Sequence, residues 1–459
     1  MRAIKPGTIR AIRKGANFVV VFGLMLAFSK SALAQEAEAV ASPVDTVWVL
    51  ICAALVFFMQ AGFGFLEAGL VRSKNVVNIM AENFMDTTMS TLAFVIAGFG
   101  LMFSAGNNFF GTEWFFLRDL PELYPGLTIP SLAFFFFQFA FCAAAGTIAS
   151  GLMAERTDFK ADLVDSFFVA LMVYPIFGQW VWGGGWLAGL GFLDFAGSTV
   201  VHAVGGFAAL GAVLVLGPRI GRYVGGKPVA MPGHNMTFAA LGVFILWLGW
   251  YGFNAGSTMG IAGDPGLVAH IVLTTTLAAA AGGATALAAS WARHRKPDFS
   301  LTVNGILAGL VAITAPTAFV GPAAAIAIGA AGGALVVGGI VALDRLRLDD
   351  PVGAIAVHGV VGVWGTLAVG IFGLPDLGAN GLLATGSASL LGVQAIGTLS
   401  VSAVALLGSY GLWRALDALF GARVAPREEL VGLDVSEHGA EAYVPADTLR
   451  DPIFVGAGD

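Results

Sequence analysis

Two acid–histidine pairs are the residues in this chain best equipped for chemistry. Asp194-Phe-Ala-Gly-Ser-Thr-Val-Val-His202 runs into Ala-Val-Gly-Gly, and Asp350-Pro-Val-Gly-Ala-Ile-Ala-Val-His358 runs into Gly-Val-Val-Gly. Each reads Asp, seven residues, His, within apolar surroundings. A neutral imidazole offers one donor and one acceptor and has a reference pKa of about 6.5, so two in contact can share a hydrogen bond and relay a proton. An ionisable residue inside an apolar span is costly and usually functional. A lone histidine there is as well explained by a bond to a backbone carbonyl; two at matched positions point to function. The acids read as helix caps, because each stands where a span begins and Asp favours that position. His234, His270, His294 and His438 fall at span edges, in loops or in the tail, and read as solvated.

Aromatic residues cluster on the approach to this pair. One run reads Phe134-Phe-Phe-Phe137-Gln138-Phe139-Ala140-Phe141, in which Phe137 and Phe141 share a helix face. Val181-Trp182-Gly-Gly-Gly185-Trp186 and Trp250-Tyr251-Gly252-Phe253-Asn254-Ala255-Gly256-Ser257 add rings flanked by glycines, which leave room for a hollow, and a hydroxyl. Aromatic faces attract small cations by about 0.5–2 kcal/mol. Pores for metal cations use carbonyl or carboxylate rings, and no acid lines this route. The set suits a cation that binds rings and then loses a proton. Glu67, shortly before Arg72, reads as a packing or ion-pairing residue. Two histidines do not close a zinc site, and no redox motif accompanies them, so neither metal nor other cofactor is expected.

The elements that position these residues follow from composition. The 459 residues are 57% hydrophobic and 11% charged, against about 25% charged in soluble domains. Most of the chain therefore belongs in lipid, and the net charge of −6 marks tails and loops rather than a nucleic-acid face. Cys52 and Cys142 lie in apolar runs, which excludes a disulfide framework. Residues 1–34 read as a signal peptide: a basic start from Arg2 to Lys14, a short apolar stretch, and Ala32-Leu33-Ala34 before Gln35. A span needs about 20 apolar residues. The stretches 46–66, 87–106, 130–154, 166–187, 197–217, 236–256, 267–291, 300–316, 322–343, 353–373 and 388–413 give eleven transmembrane helices in an all-α membrane protein. The transmembrane domain is thus expected over 35–421 and a cytoplasmic tail over 422–459. Lys and Arg mark cytoplasmic loops. With the N-terminus outside, 16 of the 17 basic residues after Gln35 fall inside and only Arg118 outside. The Asp-x7-His echo opens spans 5 and 10, and five spans per half forces opposite orientations. That is a pair of inverted five-helix repeats plus a final helix, a plan whose working site lies near the bilayer midplane.

Over nearly all of residues 45–445 the sequence resembles the ammonium transporter, methylammonium permease and Rhesus protein family. The marks are Gln60-Ala-Gly-Phe, Leu66-Glu-Ala-Gly-Leu-Val-Arg-Ser-Lys-Asn75, Met153-Ala-Glu-Arg156, Val181-Trp-Gly-Gly-Gly185, the two Asp-x7-His segments, Gly252-Phe-Asn-Ala-Gly-Ser257, Asp349-Asp-Pro351 and, in the tail, Gly432-Leu-Asp434 with Ser436-Glu-His-Gly439 and Tyr443. Trp182 and Ser257 place the resemblance with the ammonium transporter branch. It implies a multi-pass protein of the cytoplasmic (inner) membrane that transports ammonium and methylammonium and is not an enzyme. It implies a homotrimer with one pore per subunit. Phe141, Trp182 and Ser257 would form an outer ammonium site, Phe141 and Phe253 a gate, and His202 and His358 the pore lining, with Asp194 supporting the outer site without touching substrate. The tail would lie on the cytoplasmic face, where PII signal-transduction proteins dock in many bacterial members, and some members also signal ammonium availability as sensors of the same fold. One departure is Gly353, where relatives often carry an acid. The orientation has a direct check. A reporter fused after Asp459 should be active only in the cytoplasm, and periplasmic activity would refute eleven spans.

Overall fold

In the lipid interior every backbone N–H and C=O must be satisfied within its own segment, so long apolar runs fold as helices. The computed structural model describes residues 40–443, so the expected signal peptide, 1–34, and the end of the tail beyond Tyr443 lie outside the described residues. Among the described residues, ten helices are long and apolar enough to cross a membrane: α1 Pro43–Leu70, α2 Ser73–Phe103, α3 Ser131–Gly151, α4 Phe159–Gly189, α5 Ser198–Leu216, α6 Met236–Gly256, α7 Pro265–His294, α9 Pro322–Leu346, α10 Ile355–Phe372 and α11 Ser389–Phe420. Between α7 and α9 stands α8 Phe299–Thr314. It is apolar but has 16 residues, a rise of about 24 Å against a core of about 30 Å. The fold is therefore that of an all-helical membrane protein, with α8 as the one short member of the expected set among the described residues.

Most boundaries lie close to the apolar stretches, and local chemistry explains them. Asn235 caps α6 by accepting from Thr237 N and Phe238 N, each at 3.1 Å. Asp264 and Asp298 cap α7 and α8, each accepting a backbone N–H at 2.9 Å. Pro265 and Pro322 occupy the first turns of α7 and α9, where a missing N–H costs nothing. Two helices start earlier than expected, and α11 runs on to Phe420 rather than 413. α2 starts at Ser73 rather than 87, and α4 at Phe159 rather than 166. The added turns carry Glu82, Asp86, Asp162 and Asp165, all of which are buried. Charge had placed these residues in loops; the fold encloses them instead.

α1 packs lengthwise on α6, α7 on α8 and α9, and α5 on α11. α1 and α6, the first helices of the two inverted halves, thereby face one another. Large apolar side chains such as Phe84 and Phe244, 71% and 70% exposed, cover the outer surface.

The loops rich in Lys and Arg share one end of the molecule, the basic face. There a buried ion network ties four connections together. Arg219 Nε donates to Asp349 Oδ2 at 2.8 Å and its Nη2 to Oδ1 at 2.9 Å, a bidentate pair. Arg219 also meets Glu155 at 3.1 Å, and Arg72 meets Glu155 at 2.6 Å. Arg222 bridges Asp349 and Asp344. The fully buried Arg156 donates to the carbonyls of Ala154, Gly217 and Asp349 at 3.0–3.2 Å. Arg72 is thus paired with Glu155, not with Glu67, whose carboxylate accepts from Asn83 Nδ2 at 2.7 Å.

The tail folds back on this face as two short helices, α12 Pro426–Val431 and α13 Leu433–His438. Asp434 accepts from Val76 N and Asn78 N at 3.0 and 2.8 Å, and Lys74 Nζ donates to the Glu429 and Leu430 carbonyls. His234, read as solvated, instead bonds Tyr443 Oη at 2.8 Å and Val71 O at 3.1 Å.

Burial works to raise the Asp349 carboxyl, but the Arg219 hydrogen bonds and the Arg156 and Arg219 charges outweigh it and hold it well below the usual carboxylate range. A carboxyl lowered in this way stabilises the fold above its unfolded pKa of about 4, and the contribution is lost as pH falls through that range toward the depressed native value. Asp349→Asn should cost about 3–5 kcal/mol at neutral pH, because it leaves buried arginines uncompensated. Melting temperature against pH checks this: the parent should lose stability in acid, and the variant should start low and lose less.

Candidate functional site

α5 and α10 both begin inside the protein, where their first N–H groups have no water to bond. The acids of the repeat supply the acceptors. Asp194 Oδ1 accepts from Gly197 N and Ser198 N at 2.8 and 2.9 Å, and Oδ2 from Thr199 N and Val200 N at 2.8 and 2.9 Å. Asp350 accepts from Gly353 N, Ala354 N and Ile355 N at 2.7–3.0 Å. Each acid is followed three residues on by a glycine in the left-handed region, Gly197 at φ +113° and Gly353 at φ +85°. A side chain is strained there, which accounts for Gly353 in place of an acid. The repeat is therefore Asp-x2-Gly-x4-His, a glycine signal present in the sequence but unused in reading it.

After each cap comes a π-helical turn, Ser198–Ala203 and Ile355–Val360, each holding its histidine. Such turns are rare and frequently mark functional sites. The helices then cross at Gly206 and Gly359, so closely that a Cβ on Gly206 would lie 2.3 Å from Gly359 N. This approach brings the imidazoles together. His358 Nδ1 lies 3.2 Å from His202 Nδ1, the rings inclined by 25°, and both are buried. One Nδ1 must carry a hydrogen and the other must not. His202 Nε2 is buried with no hydrogen-bond partner among the described residues.

On the side away from the basic face, His202 stacks with Trp250 at 5.1 Å and with Phe253 at 5.5 Å between centroids. Trp250 is fixed by its Nε1 donating to Thr314 Oγ1 at 2.9 Å. Phe253 stacks on Phe141 at 3.9 Å, which closes the route above His202. Beyond that pair lies a cavity of about 200 Å³, lined by Phe141, Trp182, Ser257, Tyr124 and Gln138 among others. Trp182 stands edge-on to Phe141 at 6.2 Å, and its Nε1 donates to Asp194 O at 2.8 Å. Asp194 therefore sets the Trp182 ring through its backbone while its carboxylate caps α5. Ser257 Oγ donates to Phe253 O at 2.8 Å, leaving its lone pairs toward other donors. Gln138 Oε1 is buried without a partner among the described residues. It lines the same cavity, an acceptor overlooked within the phenylalanine run.

On the basic side a cavity of about 10 Å³ touches His358, Phe63, Leu66, Glu67 and Asn304. Asn304 also lines the wide basic-face hollow of about 440 Å³, with Arg222, Asp298, Asp344 and Asp350. Aromatic cavity, ring pair, histidine pair, narrow space and polar hollow thus follow in order.

Cavities in line through a helical membrane body, with a buried histidine pair between them, are the layout of a transport protein, and comparison with known proteins specifies the family. The chain matches the model of the Ammonium Transporter Family over residues 47–443. It is 46% identical over 420 residues to ammonium transporter Amt2 of Archaeoglobus fulgidus, covering 87% of this chain and 88% of that protein. It is 44% identical over 432 residues to a putative ammonium transporter of Synechocystis sp., covering 91% and 95%. Among solved structures, a Sensor Amt Protein superposes with TM-score 0.81 at 40% identity, covering 86% of this chain and 98% of that one. Mep2 of Candida albicans superposes with TM-score 0.78 at 29% identity, covering 84% and 88%. The chain belongs to the ammonium transporter family.

The crossing of α5 and α10 generates a test. Gly206→Val should force the helices apart and cost about 1–3 kcal/mol of stability, as overpacking does. Thermal unfolding in detergent checks it.

Proposed function

We propose that the chain carries ammonium across the cytoplasmic membrane by separating it into ammonia and a proton at the histidine pair. The observation that supports this most directly is the Nδ1–Nδ1 contact of 3.2 Å directly beneath a closed aromatic pair. A side-chain charge at the bilayer centre costs at least about 2.5–3.5 kcal/mol, so an intact cation is a poor traveller through this waist. The aromatic cavity suits the cation. Trp182 and Phe141 offer ring faces, and Ser257 Oγ and Gln138 Oε1 offer acceptors for its N–H groups. Phe141 and Phe253 act as the gate, since stacked rings leave no passage until one swings aside. As the rings part, ammonium gives one proton to the free imidazole nitrogen beneath them, His202 Nε2, and the ammonia that remains bonds to the imidazoles and passes on.

The proton follows the pair. With Nδ1 of one histidine donating to Nδ1 of the other, a proton arriving at the free nitrogen of the first lets its Nδ1 proton shift across, and the second releases one from its far nitrogen. No pair of fully charged imidazoles is needed, and two protonated Nδ1 atoms could not share the bond. The basic face is the cytoplasmic one on the distribution of Lys and Arg, with the N-terminus outside. The family resemblance supports a homotrimer, and the docked tail offers a surface for a PII protein. A second reading, ammonium sensing, draws on the likeness to the Sensor Amt Protein.

His202→Gln and His358→Gln keep approximate shape but cannot titrate. Each should lower ammonium flux or admit potassium. Ammonium- and potassium-driven currents in proteoliposomes measure this, with melting temperature as the folding control. Parental ammonium conduction together with parental exclusion of potassium in both variants would remove the histidines from the mechanism.

A further inference from the structure

Five carboxyls lie buried on α1, α2 and α4: Glu67, Glu82, Asp86, Asp162 and Asp165. No ion pair reaches any of them among the described residues. Three are held by neutral donors. Asn83 Nδ2 donates to Glu67, Ser150 Oγ and Ser166 Oγ donate to Asp86 at 2.6 and 2.5 Å, and Trp413 Nε1 donates to Asp165 at 2.9 Å. The other two stand apart. Glu82 and Asp162 are each 1% exposed, and all four of their oxygens lack a hydrogen-bond partner among the described residues. Both are turned into the group. Asp162 is within electrostatic reach of Asp86, Glu82, Asp165 and Glu67, and Glu82 within reach of Asp86, Glu437 and Glu67.

Helical spacing produces this convergence: Glu82 and Asp86 are four apart, Asp162 and Asp165 three apart, so each pair shares a helix face. Five uncompensated charges in a low-dielectric interior would cost more than a fold has to spare. Positive charge must therefore reside among them. The described residues hold no acid and histidine group with metal-binding geometry, and the proton is the species that each carboxyl can take singly.

The cluster has two ends. At one, Glu67 and His358 line the same cavity of about 10 Å³, close to the space of one water. At the other, the part-exposed Glu437 of α13 accepts from Asn78 Nδ2 and from Phe159 N, both at 3.1 Å. Asp158 and Lys160 lie within electrostatic reach of Glu437, and His438 Nε2 is 3.3 Å from Asn78 Nδ2. No basic side chain intrudes between the two ends among the ion pairs described.

We infer that these carboxyls form a proton path that leaves the pore below the histidine pair and ends at Glu437 on the docked tail. The inference rests on the transport reading above and says where the separated proton goes. His358 gives a proton through one water to a Glu67 oxygen. A proton already held among the acids shifts one place toward Glu82 and Asp162, and Glu437 releases one to water. Each transfer breaks one N–H or O–H bond and forms one O–H bond, so the number of protons in the cluster is unchanged. Ammonia keeps to the pore while charge leaves beside it.

The test uses the full-length protein in liposomes and a jump in external ammonium, with two readouts. Current on a supported membrane reports charge, and a trapped dye reports lumen pH, which rises when neutral ammonia enters alone. The variants are Glu67→Gln, the double variant Glu82→Gln with Asp162→Asn, and Glu67→Asp, with melting temperature as the folding control. Glu67→Gln and the double variant should lose the ammonium-driven current and make the lumen alkaline as ammonia enters alone, and Glu67→Asp should restore current. Parental current in both carboxyl-free variants overturns the path, as does joint loss of current and alkalinisation in a folded variant. If Glu67→Gln does not fold, the double variant decides alone. A parent that makes the lumen alkaline with no current keeps the transport reading and overturns the path. A parent giving neither signal overturns the transport reading itself.

Discussion

A helix that begins inside an apolar body must find acceptors for its first N–H groups, and this protein meets that requirement with two carboxylates. Asp194 takes four backbone hydrogens and Asp350 three. Because the caps are local, α5 and α10 can start well within the molecule rather than at its surface. Their histidines then fall at depth, and the glycine crossing lets them touch. Remove the caps and the rest loses its frame: the π turns, the imidazole contact, and the Trp182 ring that hangs on the Asp194 carbonyl. A charged residue near the histidine pair thus acts here through geometry.

Much of this was legible in the residues. The Asp-x7-His echo announced both the inverted halves and the meeting of His202 with His358, because symmetry turns equal spacing into equal depth. Phe141, Trp182, Phe253 and Ser257 were legible as types, and the structure shows which ring lies on which. What escaped was context-dependent. Glu82, Asp86, Asp162 and Asp165 read as loop because charge argues against lipid, yet neighbouring helices and not lipid surround them. Gln138 was hidden in a run of rings that reads as bulk. The pairing of Arg72 with Glu155 joins residues far apart in sequence, and nothing local signals it. π turns have no compositional mark, so a regular helix was the natural expectation at both histidines.

The basic face is built on a different principle from the waist. There a bidentate Arg219–Asp349 pair, Glu155 and the enclosed Arg156 hold three loops in one arrangement, and the tail adds Asp434 and Lys74 contacts to the start of α2. Buried pairs of this kind give little net stability against apolar replacements, but losing one partner is costly. Their value here is definition of shape. The hollow below His358 is bounded by loops that cannot drift independently, and the tail that docks on them is joined to α2 by the hydrogen bond from Asn78 to Glu437.

The paired π turns also bear on ancestry. Each holds one more residue than an α-helical turn accommodates, and each places its histidine eight positions beyond a capping acid, with a left-handed glycine at the third. Two unrelated insertions would have had to arise within one position of the same offset in segments that share few other residues. The simpler history is that the irregular turn already existed in a single five-helix ancestor. On that view the gene duplicated with its flaw in place, and two copies facing one another made of a local defect a meeting point for two imidazoles that neither half could provide alone.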